Sequence, residues 1–321
     1  MITSRLTEQL GIQHPILLAP MAGVAGADLA NAVSRAGGFG IIGGGYGDRQ
    51  WLEAQLNGCD CGSIGVGFIS WRLAKQPELL ALALEYAPRA IFLSFGDLSQ
   101  FAPIINASKS LFIAQIQSLE DAKVAVALGA DMLVAQGTEA GGHGGHRATM
   151  PLVPAVVDAV GPIPVVAAGG IADGRGLAAA LMLGASGALM GTRFYCCEES
   201  LATEQAQARA IATSGDETIR SRVFDVLRGY SWPNPYTLRT IKNDMTEQFA
   251  DNLAQLRGDK RAQTARFTDG LAHANYDVAA VIAGEALDLV NDRPRAGDIV
   301  REVSAQAIAC LQDPSHFTVG P

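Results

Sequence analysis

Residues 15–26 read Pro15-Ile16-Leu17-Leu18-Ala19-Pro20-Met21-Ala22-Gly23-Val24-Ala25-Gly26. The apolar run Pro15–Ala19 reads as a buried strand. The residues directly after this strand separate two architectures made of the same strand–helix units. An open, doubly wound sheet of the dinucleotide-binding type carries Gly-x-Gly-x-x-Gly directly after its first strand. Pro20-Met21-Ala22-Gly23 does not have that spacing. The favoured architecture is therefore an α/β fold of the closed (β/α)8 TIM-barrel type.

The rest of the chain agrees. Further apolar runs lie at Gly38–Ile42, Ile64–Ile69, Ala90–Ser94, Leu111–Gln115, Met132–Ala135, Val165–Ala168 and Ala188–Met190. With the first run they make eight strands, about twenty to thirty residues apart, a spacing that suits repeated βα units. Gly37, Gly129 and Gly184 each stand between a helical pattern and the next strand, the place of a C-terminal helix cap. Ser118-Leu-Glu-Asp121 opens a helix like a capping box, and Asp173 can cap the helix through Leu177 and Leu183.

Beyond Thr192 the pattern changes. Residues 200–213 are helical and alanine-rich, and an irregular loop lies at Gly229–Tyr236. Met245–Leu256 is amphipathic, and Asp298–Leu311 reads as one clean helix. The expected organisation is a barrel over 1–220, a mostly helical insertion subdomain over 221–295, and a final barrel helix with a tail over 296–321, Pro314–Pro321 being loose.

Composition bounds the function. The 321 residues are 49% hydrophobic and carry a net charge of −8. That charge argues against nucleic acid or an anionic membrane as partner. No apolar run is long enough to span a bilayer, and the N-terminus lacks the apolar core of a signal peptide. Cys59, Cys61, Cys196, Cys197 and Cys310 show neither a disulfide framework nor zinc spacing. A cytoplasmic protein with reduced thiols is the expectation, and a homodimer is left open.

Three stretches carry chemistry. Residues 135–147, Ala-Gln-Gly-Thr-Glu-Ala-Gly-Gly-His-Gly-Gly-His-Arg, place His143 and His146 among glycines just past a strand. Glycine allows close backbone approach to a ligand, and the C-terminal ends of strands are where α/β folds put their chemistry. The plain alternative is a flexible turn with a surface histidine. Ala167-Ala168-Gly169-Gly170-Ile171-Ala172-Asp173-Gly174 and Met190-Gly191-Thr192-Arg193 come after the seventh and eighth strands. In barrels these two loops commonly bind phosphate through backbone N–H groups. Thr192 can add a hydroxyl, and Arg193 a charge if it points inward. Tight turns are the alternative for these glycines.

Taken together, Ala19-Pro20-Met21-Ala22-Gly23, Glu139-Ala140-Gly141-Gly142-His143, Ala168–Gly174 and Met190-Gly191-Thr192-Arg193-Phe194 resemble the nitronate monooxygenases, formerly called 2-nitropropane dioxygenases. The resemblance covers most of residues 1–225. It implies an FMN-dependent barrel that oxidises alkyl nitronates with O2 to a carbonyl compound and nitrite. It implies that Pro20, Met21 and Ala22 line the isoalloxazine, that Gly67 contacts the flavin, and that Gln115 faces its pyrimidine end. Gln136, Gly137, Gly141 and Gly142 approach the cofactor. Ala168, Gly169, Gly170, Gly191 and Thr192, with Met190 before them, hold its phosphate. His143 is the catalytic candidate, and its ordinary pKa of about 6.5 suits proton transfer or hydrogen bonding near neutrality. The same motifs occur in enoyl-acyl-carrier-protein reductases and NADH:quinone reductases. An FMN-dependent NAD(P)H reductase is therefore the alternative, and a phosphate-ligand barrel or a silent flavin binder the third reading.

Other residues stay open. His146 departs from the family's usual continuation, and no third ligand supports a metal between it and His143; no metal is expected. Phe68–Trp71 and Ser94–Asp97 either wall the pocket or pack the barrel rim. Tyr230, Trp232 and Tyr236 cover the mouth or, more plainly, anchor their loop. Arg220, Arg222 and Arg228 read most simply as a solvated or salt-bridged helix face.

Overall fold

Runs of Ile, Leu, Val and Ala too short for helices are stable only when both faces are covered. In the computed structural model, which describes residues 1–313, each such run is a strand. The expectation for Pro314–Pro321 lies outside the described residues. The barrel strands are β1 (Ile16–Leu18), β2 (Ile41–Gly43), β3 (Gly65–Ile69), β4 (Ala90–Ser94), β5 (Leu111–Ile116), β6 (Met132–Gln136), β8 (Val165–Ala168) and β9 (Gly187–Met190). They pair in parallel in the order β1-β9-β8-β6-β5-β4-β3-β2. A parallel bridge from Leu17 to Phe39 brings the two ends together and closes the cylinder.

Alternation along these strands divides the core in two. Leu17, Phe39, Phe92, Ile113, Val134, Val166 and Leu189 fill the barrel, and Leu6 and Leu10 of the helix Arg5–Leu10 join that inner cluster. Ile16, Leu18, Val66, Ile91, Leu93, Leu133 and Ala188 belong to the outer layer under the helices. The final helix, Ala296–Gln312, adds Ile299, Val300 and Val303 to that layer. Gly37, Gly129 and Gly184 all adopt positive φ, as helix-ending glycines do. Asp173 caps its helix through Arg175 N–H and Gly176 N–H, and Ser118 accepts from Asp121 N–H.

The segment between β9 and the last helix carries helices at Val223–Arg228, Asp244–Phe249, Leu253–Gly258 and Lys260–Ala272, joined by long irregular stretches. It also holds a small antiparallel sheet of β10 (Thr218–Ser221), β11 (Thr237–Ile241) and β7 (Gly142–Gly144). Leu238 pairs with His143 in its register. The insertion thus grips the histidine loop by its backbone. Nothing in Gly-His-Gly announces a strand, because this pairing spans nearly a hundred residues and leaves no local periodicity.

Candidate active site

A cavity of about 290 Å³ opens at the C-terminal ends of the barrel strands. It is walled on one side by Pro20, Met21 and Ala22 after β1, and by Ala168, Gly169, Gly170, Gly191 and Thr192 after β8 and β9. The insertion covers it with Arg228, Trp232, Leu238 and Ile282.

The glycine loops have the form of an anion cradle. Gly169 and Gly170 take φ of 107° and 73°, values that side chains disfavour. The N–H groups of Gly169, Gly170 and Gly191 donate to no protein acceptor among the described residues. A Cβ on Gly169 would come within 2.9 Å of Thr149 Oγ1. Thr192 Oγ1 accepts from Gly284 N–H, which leaves its own hydroxyl hydrogen to donate. Arg193, by contrast, turns away to pair with Asp292 at 2.7 Å. The cradle therefore relies on neutral donors. Glu139 also reaches the cavity, but its carboxylate is occupied by Thr149 N–H and Thr149 Oγ1–H.

Two glutamines behave differently. Gln115 is buried on the cavity wall, and its Nε2 has no partner. A buried amide donor left unpaired costs about 1–3 kcal/mol, so a ligand acceptor at that place is favoured. The amide of Gln136 is already used: its Oε1 accepts from Gln117 Nε2 and its Nε2 donates to His143 O.

His143 is buried and lines the cavity. Its Nε2 lies 2.8 Å from Asp225 Oδ1, on the helix Val223–Arg228. Trp232 stacks on the ring with centroids 3.3 Å apart, and Phe95 approaches from an edge. Burial is the largest influence on the imidazole and lowers its pKa, opposed by Asp225 and aided by Arg228 and Arg220. His143 is thus neutral near neutral pH. The loop that carries it is clamped. Arg220 donates to the carbonyls of Thr138, Ala140, Gly142 and Thr237. Arg239 donates to Thr138 O and pairs with Glu285. At the mouth, Tyr46 and Tyr230 stack at 4.2 Å, and Arg228 lies over both rings.

These features sit on a chain whose residues 3–59 and 71–306 match the nitronate monooxygenase family model. The chain belongs to the nitronate monooxygenase family. A nitronate monooxygenase of Metarhizium robertsii is 35% identical over 92% of this chain and 91% of its own length. A (3aS,4S,5R,7aS)-5-hydroxy-7a-methyl-1-oxo-octahydro-1H-indene-4-carboxyl-CoA dehydrogenase of Mycobacterium tuberculosis is 29% identical, covering 97% of both chains. Among solved structures, FabK from Thermotoga maritima superposes with a TM-score of 0.84 at 26% identity, over 99% of this chain and all of that one. Nitronate monooxygenases are flavin-dependent oxidoreductases, and the chain is an enzyme of that class.

The orphan Gln115 amide and the neutral glycine cradle fit a flavin phosphate ester. Of the residues the sequence marks for the cofactor, Pro20, Met21, Ala22, Gln115, Gln136, Gly141, Gly142, Ala168, Gly169, Gly170, Gly191 and Thr192 line the one cavity with His143. Three lie behind its wall. A Cβ on Gly67 would strike Pro20 Cβ at 2.4 Å, so Gly67 makes room for Pro20 rather than for a ligand. Gly137 is packed under Thr149 and Glu139. Met190 is fully buried in the outer core.

Ile69, Ser94 and Phe95 join the wall, whereas Phe68 and Ser70 are buried in packing. Trp232 is a wall of the pocket rather than a mere loop anchor. His146 is exposed. The three arginines do not share one solvated helix face: Arg220 lies on a strand and spends its donors on carbonyls, Arg222 precedes the helix and donates to Trp232 O and Asn234 Oδ1, and Arg228 covers two tyrosines at the cavity. Asp225 has no mark in the sequence, because its partner stands 82 residues away. Among the described residues, no helix is long and apolar enough to cross a membrane.

Proposed function

We propose that the chain oxidises alkyl nitronates, with FMN as cofactor and O2 as co-substrate, to a carbonyl compound and nitrite. One observation carries the reading: unpaired N–H donors at Gly169, Gly170 and Gly191, the free amide of Gln115 and the neutral, buried His143 face the same cavity. When bound, FMN supplies the electron acceptor. The glycine N–H groups and Thr192 would hold its phosphate, Gln115 its pyrimidine end, and Pro20-Met21-Ala22 one edge of the ring system. His143 is placed to hydrogen-bond nitro oxygens or to take a proton. Arg228 adds positive charge to the wall, which favours an anion. Trp232, Phe95 and Leu238 keep that wall apolar and so strengthen its electrostatics. The five free thiols support a reducing compartment such as the cytoplasm.

A second reading, an FMN-dependent NAD(P)H reductase, draws support from the likeness to FabK and to the coenzyme A-thioester dehydrogenase. Flavin absorbance under anaerobic conditions separates the two. Bleaching by ethylnitronate, with indifference to NADH and NADPH, is the expected result. Rapid bleaching by a nicotinamide, with indifference to the nitronate, would move the enzyme to the reductase reading.

A further inference from the structure

We propose that Asp225 is a positioning residue that fixes His143 as the tautomer protonated on Nε2 and presents Nδ1 as the basic nitrogen, so that the proton transfer already assigned to His143 runs through Nδ1. The substrate half of this inference rests on the nitronate reading; the tautomer half does not.

A carboxylate only accepts hydrogen bonds, so at 2.8 Å from Asp225 Oδ1 it is Nε2 that carries the ring proton. The side chains are 5% and 4% exposed, so water does not compete for this bond. Nδ1 has no hydrogen-bond partner among the described residues, and His143 lines the cavity. The ring is not free to turn over. Trp232 covers a face, Phe95 meets an edge, and the backbone is held by Leu238 pairing and by Gln136 Nε2 on His143 O.

Asp225 also stabilises the imidazolium that forms when its neutral partner takes a proton. Its Oδ2 is buried and has no hydrogen-bond partner. A buried carboxylate with one oxygen unsatisfied is costly unless a cation stands beside it. Neither neighbouring arginine makes an ion pair with this carboxylate: Arg220 spends its donors on four carbonyls, and Arg228, on the same helix, lies over the Tyr46 and Tyr230 rings. A cationic His143 is the complement this carboxylate lacks. The step balances without another reactant. The α-carbon C–H bond breaks, its electron pair passes to the nitro group to give the nitronate, and the proton forms Nδ1–H. Nε2–H stays on the ring, hydrogen-bonded to Asp225 Oδ1, throughout, and the Nδ1 proton leaves to water that enters the cavity after the product departs.

Two measurements on the flavin-loaded enzyme test this. The first is ¹⁵N NMR with labelled histidine, His143 being assigned by loss of its signals in His143→Gln. The wild type should show the Nε2–H tautomer, and Asp225→Asn, whose amide can donate or accept, should show a mixture or Nδ1–H. A wild-type Nδ1–H tautomer, or an Asp225→Asn ring indistinguishable from wild type, overturns the positioning role even if the variant is poorly folded in other respects. The second is kcat/KM on nitroethane against ethylnitronate. Loss of an orienting carboxylate in the serine-protease triad costs about 10⁴. Asp225→Asn should therefore lose roughly 10²–10⁴ on the neutral nitroalkane, less than tenfold on the nitronate, and Asp225→Glu should recover part of the difference. Equal losses on both substrates overturn the proton-transfer role. If neither substrate reacts with wild type while the Nε2–H tautomer is found, the nitronate reading falls together with the substrate half, and the positioning half is upheld.

Discussion

Trp232 lies flat over His143, the ring planes 10° from parallel. The indole is itself held edge-on by Trp71 and Phe95, with centroids 5.3 Å and 5.2 Å away. It is therefore the cover that keeps water from the imidazole. Since burial is the main cause lowering the His143 pKa, uncovering the ring must raise it toward about 6.5. Trp232→Ala should move the acid limb of the pH–kcat/KM profile to higher pH, because protonation now removes the base earlier as pH falls. Trp232→Phe, which keeps a ring in place, should move it far less. An NMR titration of His143 reads the shift directly, and an unmoved or lowered pKa in Trp232→Ala would sink the argument.

Gly191 offers a test of the cofactor cradle that leaves the protein intact. Its φ is in the ordinary negative range, and an added Cβ would stand 3.5 Å from Ala19 Cβ and 3.7 Å from Met21 Sδ, ordinary contact distances. Gly191→Ala should fold and melt like wild type. If the free N–H groups receive the phosphate, the methyl obstructs it, and FMN affinity should fall at least about tenfold, or ~1.4 kcal/mol. Titration of flavin into apoprotein measures this. Unchanged affinity would place the phosphate elsewhere.

Gln115→Leu probes the other end of the ligand. The apoprotein loses a buried donor that has no partner, so its stability should hold or rise slightly. FMN affinity should drop by about one lost hydrogen bond, roughly 0.5–1.5 kcal/mol or two- to tenfold. A destabilised apoprotein with full flavin affinity would show that the amide serves the fold and not the ligand.

How much of the fold and site is legible in the sequence depends on the range of each interaction. Val165–Ala168 and Ala90–Ser94 are strands with the bounds read from their apolar runs, because burial on both faces leaves a continuous local signal. The loops after β8 and β9 can be placed at one mouth because parallel barrel topology puts every strand's C-terminal end there. Arg220 escapes such reading for the opposite reason. Its charge suggests water, and only the pairing of β10 with β11 reveals the four carbonyls it serves. Asp225 stands on a short helix of the insertion and meets His143 only through the closed tertiary fold. Gly67 shows that a glycine in a motif can be required by a neighbouring proline as well as by a ligand.

The Arg220 clamp has a measurable strength. A lysine carries a point charge and cannot span four carbonyls with a planar fork. Arg220→Lys should therefore orphan buried acceptors on the histidine loop, at about 1–3 kcal/mol each where water cannot reach. The expected result is a lowered Tm with faster hydrogen exchange at Gly142 and His143, whose strand pairs with β11. Burial and Arg239 push the Arg220 pKa down, but the group stays cationic at neutral pH. The loss should thus not be rescued by changing pH between 6 and 8. Preserved exchange protection in the loop would show that β-pairing alone holds it.

Arg228 decides whether the wall favours an anion. Its guanidinium lies 4.8 Å and 5.0 Å above the Tyr46 and Tyr230 rings and reaches the cavity without an ion-pair partner among the described residues. The stack holds the cation in place without neutralising it, since a ring face attracts a cation but adds no counter-charge. A hydrogen bond to a charged group contributes about 1.5–3 kcal/mol. Arg228→Gln keeps much of the side chain's length and removes the charge, so KM for ethylnitronate should rise about 10- to 100-fold, while kcat changes less, because the interaction is made in ground state and transition state alike. KM for neutral nitroethane should move little, and the wild-type nitronate KM should rise with ionic strength where the variant's does not. Equal effects on the anionic and neutral substrates would mean that Arg228 serves the tyrosine stack and the shape of the mouth rather than the charge of what enters it.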